Sequence, residues 1–95
     1  APLDSTGDPI PLLRVPPIYP EAALRDGVEG RILLEFDISR DGVPVRIESV
    51  AAEPEGYFEA SAIAMMRKWR WCRLEDGEPD YPARIRQAIQ YSFPS

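Results

Sequence analysis

The chain has 95 residues, 16 acidic and 11 basic side chains, a formal net charge of -5 and a pI near 4.6. That is room for one domain with a modest core, in a molecule that repels polyanions as a whole, which argues against a nucleic-acid binder. Histidine and asparagine are absent, which argues against triad chemistry, and Cys72 is the only cysteine, which excludes an internal disulfide and a thiolate metal cluster.

No catalytic residue, cofactor or metal site is therefore expected. The N-terminal stretch APLDSTGDPI lacks the charged and apolar regions of a signal peptide, and no apolar run approaches the ~20 residues of a bilayer-spanning helix. Residues 1–12, with Pro2, Pro9, Pro11 and Gly7, read as a flexible leader, and residues 13–95 as a single domain. A short extended piece over 12–15 is closed by Pro16 and Pro17. Tyr19-Pro20 opens a helix over about 20–26, because proline loses nothing at a first helical turn, and Gly27 supplies its C-cap.

Residues 29–38 alternate, with Ile32, Leu34, Phe36 and Ile38 on one face and Arg31, Glu35 and Asp37 on the other. That is a strand with one buried side. Asp41-Gly42 makes the turn into a second strand over 43–51, with Val45 and Ile47 inward, and the two form an antiparallel hairpin. Pro44 withholds a ladder donor there, as on protected sheet edges.

Beyond Pro54 and Gly56 the period lengthens to about 3.6: Phe58, Ala62, Met65, Met66 and Trp69 fall on one stripe of an amphipathic helix. The cation-rich hexapeptide RKWRWC, residues 67–72, follows. It reads as structural, with Trp69 completing the stripe and Arg67, Lys68 and Arg70 at the negative end of the helix dipole. Between Pro82 and Pro94 runs a long final strand. Ile85, Ile89, Tyr91 and Phe93 share one face with Gln87, while Arg84, Arg86, Gln90 and Ser92 line a wet one.

This order predicts an α+β two-layer sandwich, with an antiparallel three-stranded sheet and two helices on one face; with the final strand packed beside the first, the sheet order is 2-1-3. The expected core is Leu24, Ile32, Leu34, Phe36, Ile38, Val45, Ile47, Phe58, Ala62, Met65, Met66, Trp69, Ile89 and Phe93. The last strand carries no edge guard. A bare edge of that length is an aggregation hazard unless it accepts an extended peptide by strand addition, a dimer partner, or the leader.

Tyr19-Pro20 before a short helix, Gly30 opening a strand, Phe36 near its end, Asp41-Gly42 with a following valine, Phe58 before an alanine-rich helix ending in Arg67-Lys68-Trp69-Arg70, then Asp76-Gly77 and a strand ending in Phe93: this ordered set resembles the TonB C-terminal domain family over roughly residues 14–93. The resemblance implies a non-enzymatic, periplasmic energy-transducing adaptor of Gram-negative bacteria, anchored in the inner membrane by a helix upstream of this sequence. It implies as partners an outer-membrane transporter, gripped by its TonB box through strand addition, and a proton-driven motor of the ExbB/ExbD type, for uptake of nutrients such as iron–siderophore complexes.

Carried onto this chain, the gripping strand is Arg84, Ile85, Arg86, Gln87, Ala88, Ile89, Gln90 and Tyr91, with Arg14, Pro16, Pro17 and Tyr19 beside it. Two features depart from the family pattern. Pro16-Pro17-Ile18 stands where a Gln-Pro pair contacts the box, and the chain is acidic where many members are basic. The alternative is an interaction or homodimerisation domain without force transmission; no nucleic-acid partner is expected.

Overall fold

Pro20 marks the start of the first helix in the computed structural model, which describes residues 9–94. Helix α1, Glu21–Asp26, ends on Gly27, whose left-handed φ of 68° suits a residue without Cβ. The expected burial of Leu24 is corrected here: Leu24 is 51% exposed, and Ala23, at 0%, is the buried residue of this helix. A helix of six residues turns one narrow row toward the sheet, and that row holds the alanine.

Strand β1, Gly30–Ile38, buries Ile32, Leu34, Phe36 and Ile38 as its alternation requires. Strand β2, Pro44–Glu53, pairs with it but slips twice. Leu33 faces Ala51 while Leu34 faces Ser49, leaving Val50 as an extra residue, and a second irregularity between Glu35 and Asp37 falls beside Arg46, at φ 52°. Val45, expected in the core, lies directly opposite Asp37 and so is half-buried on the open face, because the irregularity at Arg46 reverses the alternation of β2; Ile47 packs against the core from its margin.

Helix α2, Glu59–Met66, is shorter than the apolar stripe. Phe58 is its N-cap, and after Met66 the backbone tightens, with the Lys68 and Trp69 N–H groups donating to the Met65 and Met66 carbonyls. Trp69 is buried, at 5% exposure, from beyond the helix rather than on it. Arg70 then pairs with Leu13, and the Leu12 N–H also donates to the Arg70 carbonyl. Residues 1–8 of the expected leader lie outside the described residues.

Strand β3, Ile85–Tyr91, pairs antiparallel with β1, so the sheet order is β2-β1-β3. Phe93 lies past its end and is half-buried, stacked on Tyr19 at a centroid distance of 4.9 Å, rather than in the core proper. Ala23 of α1 and Ala62, Met65 and Met66 of α2 join Ile32, Leu34, Phe36, Ile85 and Ile89 in one cluster. Both helices thus cover the same face, which is the expected two-layer α+β sandwich.

Candidate functional site

Two hydrogen bonds donated by backbone N–H groups fix which peptide groups lie on the open side of the sheet. The Ser39 N–H donates to the Val43 carbonyl at 2.9 Å, so Ser39 faces β2. Because peptide groups alternate along a strand, Asp37, Glu35, Leu33 and Arg31 also face β2, while Phe36, Leu34, Ile32 and Gly30 face β3. Their register partners are Ile85, Gln87, Ile89 and Tyr91. The Phe93 N–H, which donates to the Glu29 carboxylate, continues the same parity. The N–H and C=O groups of Arg86, Ala88 and Gln90 therefore point away from the sheet.

No further strand lies along that edge among the described residues, and β3 pairs with β1 without a register slip. The opposite edge differs. Strand β2 begins with Pro44, carries two bulges and holds Arg46 at positive φ, all of which disrupt a straight row of donors and acceptors. One edge is guarded and the other is regular.

Side chains on β3 divide by face. Ile85, Ile89 and Tyr91 are buried and their main-chain groups are turned to β1, so they offer an incoming segment nothing to bond, whereas Arg86, Ala88 and Gln90 are exposed. The half-buried Gln87 donates from Nε2 to the Ala88 carbonyl at 3.2 Å, occupying one lone pair of an outward acceptor.

Arg84 precedes the strand at φ 54° and is held by the uncovered sheet face. Its N–H donates to Asp37 Oδ1 at 2.7 Å, its Nε to Glu35 Oε1 at 2.7 Å and its Nη2 to Glu48 Oε2 at 3.1 Å. Arg86 Nε donates to Glu35 Oε2 at 3.0 Å. Hydrogen bonds from Arg84, then Arg86, hold the Glu35 carboxyl below its usual range; the Arg84 N–H, then the Arg46 side chain, do the same for Asp37. Glu35 and Asp37, which had suggested no role in the sequence, thus anchor the start of β3. Their only signal was alternation, which set them on the wet face with Arg84 and Arg86.

The leading segment reaches β3 at one end. Tyr19 donates its hydroxyl to the Val28 carbonyl and lies edge-on to Tyr91 at 5.7 Å and to Phe58 at 5.9 Å. Ser61 ties this corner together, donating to the Ile18 carbonyl and lying 3.0 Å from the Tyr91 hydroxyl. Pro16 borders α2 and Pro17 is half-buried. Arg14 stands elsewhere, its guanidinium 5.4 Å from the Trp69 ring centroid. Among the described residues no cluster of three or more His, Cys, Asp or Glu is arranged for a metal, and no helix is long and apolar enough to cross a membrane.

Comparison with known proteins adds a family to this geometry. Residues 15–93 match the family model described as Gram-negative bacterial TonB protein C-terminal. The chain is 39% identical over 67 residues to Protein TonB of Yersinia enterocolitica, covering 70% of this chain and 26% of that protein. It is 37% identical over 71 residues to Protein TonB of Klebsiella aerogenes, covering 75% of this chain and 28% of that protein. The chain thus spans about a quarter of the length of these relatives. The solution structure of the Pseudomonas aeruginosa TonB C-terminal domain superposes with a TM-score of 0.77 at 28% identity, over 97% of this chain and 91% of that one. The TonB2 protein of Vibrio anguillarum superposes at 0.70 with 31% identity, over 100% and 91%.

Proposed function

The chain belongs to the family of Gram-negative bacterial TonB protein C-terminal domains, and from that premise we propose that it grips the TonB box of an outer-membrane transporter by adding it as a strand to the outer edge of β3. In this reading the domain works in the periplasm, tethered upstream to the inner membrane. It passes force from a proton-driven motor of the ExbB/ExbD type to the transporter, for uptake of scarce nutrients such as iron–siderophore complexes. The role is one of interaction and transduction, not catalysis.

The observation that carries the reading is the regular, outward-facing row of Arg86, Ala88 and Gln90 beside a bulged opposite edge. Six main-chain groups on three residues, at about 0.5–1.5 kcal/mol net for each bond, support a modest affinity once association costs are subtracted. Such affinity suits a partner that is repeatedly caught and released. Arg84 and Arg86 are already engaged with Glu35, Asp37 and Glu48, so recognition rests on main-chain pairing and tolerates variation in the box sequence.

Titration of a synthetic box peptide into isotopically labelled protein tests this. The amides of Arg86, Ala88 and Gln90 should shift first, and a peptide N-methylated at alternate residues should lose binding. Shifts confined to residues 67–73 would overturn the proposal.

A further inference from the structure

Among the described residues, every arginine stands within salt-bridge distance of a carboxylate except Arg14, Arg67 and Arg70, and Lys68 has no carboxylate partner either. These four are not scattered. Arg67 caps α2, Arg70 Nη1 donates to the Arg67 and Trp69 carbonyls at 2.7 Å, Arg14 lies over Trp69, and Lys68 lies between Arg67 and Trp69 in the chain. All four are exposed. Interaction with the helix C-terminus accounts for Arg70, whose guanidinium satisfies the free carbonyls, and the Trp69 ring accounts for Arg14; Arg67 and Lys68 stand at the negative end of the helix but make no side-chain bond among the described residues.

Beside this cluster runs a groove of about 460 Å³ between the leading segment and α2. Ala60, Ala64 and Met65 form one wall, Pro16 and Ile18 the other, with Lys68 also among the lining residues and Glu21 the one carboxylate there. Ile18 is 75% exposed, a large aliphatic side chain left in solvent at the lip. An apolar trough with Lys68 in its lining and Arg67 next to Lys68 in the chain fits a ligand that is apolar and anionic at once.

We propose that this trough is a second docking site, separate from the edge of β3, for an acidic peptide segment. It would set an aliphatic side chain against Ala60, Ala64 and Met65 and a neighbouring carboxylate against Lys68 and Arg67. A peptide is favoured over an anionic bilayer on two grounds. The surface is concave, and a bilayer would face the whole molecule, whose net charge is -5, whereas a narrow peptide meets only the cationic corner.

Panning a random dodecapeptide phage library on the protein, with the exposed double variant Arg67→Glu, Lys68→Glu as counter-selection, tests the site. Enriched peptides should pair Asp or Glu with Leu, Ile, Val or Phe. A synthetic copy of the leading peptide should shift the amides of Ala60, Ala64 and Lys68, and its affinity should fall about tenfold or more in the double variant. The groove-filling variant Ala64→Leu should weaken it without touching the charges.

Enrichment without acidic residues, affinity unchanged in both variants, or shifts confined to Arg86, Ala88 and Gln90 would overturn the proposal. The last result would leave the strand-addition reading standing, so the two fail separately. Sedimentation with phosphatidylglycerol vesicles, with no peptide enriched, would assign the cations to a lipid surface instead. A concentration-dependent sedimentation coefficient abolished by the charge reversal, again with no peptide enriched, would assign them to a second copy.

Discussion

Trp69 and Trp71 are equally buried, at 5% exposure, yet they are wired differently. The Trp69 indole N–H donates to the Val15 carbonyl at 2.9 Å, stitching the leading segment to the end of α2, whereas Trp71 Nε1 has no partner among the described residues. Removing either ring should cost about 3–5 kcal/mol in urea unfolding. The phenylalanine variants separate them: Trp69→Phe should be less stable than Trp71→Phe by about 1 kcal/mol, because only the first leaves a carbonyl unpaired. Gly42 gives a second residue-scale expectation. It sits at φ 82°, and an added Cβ would lie 2.0 Å from the Trp71 carbonyl oxygen, so Gly42→Ala should lower the urea midpoint by the equivalent of at least about 2 kcal/mol. Burial of Trp69 was readable from its place on the apolar stripe, whereas Trp71 was not among the expected core residues. Their hydrogen bonding was not readable, because the partner of Trp69 is 54 residues away in sequence.

At the scale of elements, legibility followed regularity. Strand β1 alternates without interruption and reads directly from its residues; the 2-1-3 order was expected only if the last strand packs beside the first, which it does. Strand β2 hides two slips of register that depend on how Val50 and Arg46 sit against a neighbour, and no residue type there announces them. Helix α2 looked longer because Trp69 continues the apolar stripe, although the helix stops at Met66. Likewise Leu24 has the right type for a core, but α1 is too short to present a second row. The junction into β3 yields a pH prediction. Glu35 and Asp37 have lowered carboxyl pKa values in the folded state, so they stabilise it above the ordinary carboxylate range, and that contribution is lost as pH falls through their folded values. Urea midpoints should therefore decline below about pH 4, and Arg84→Met should flatten the decline. An unaltered acid slope in that variant would remove Arg84 from the account.

For the whole molecule, the unguarded edge has a second possible occupant. The row on Arg86, Ala88 and Gln90 can pair antiparallel with its own copy, as in an interaction domain without force transmission. At high concentration the sedimentation coefficient should then rise, and saturating box peptide should return it to the monomer value. Failure of the peptide to compete would place any dimer contact elsewhere. The bulges of β2 also limit how far such pairing extends. Joining two β3 edges leaves a β2 on each flank, and neither presents a straight ladder for another strand. Pairing by this route would therefore stop at two: the same irregularities that bend β2 would make the domain a terminator rather than the template of a fibre.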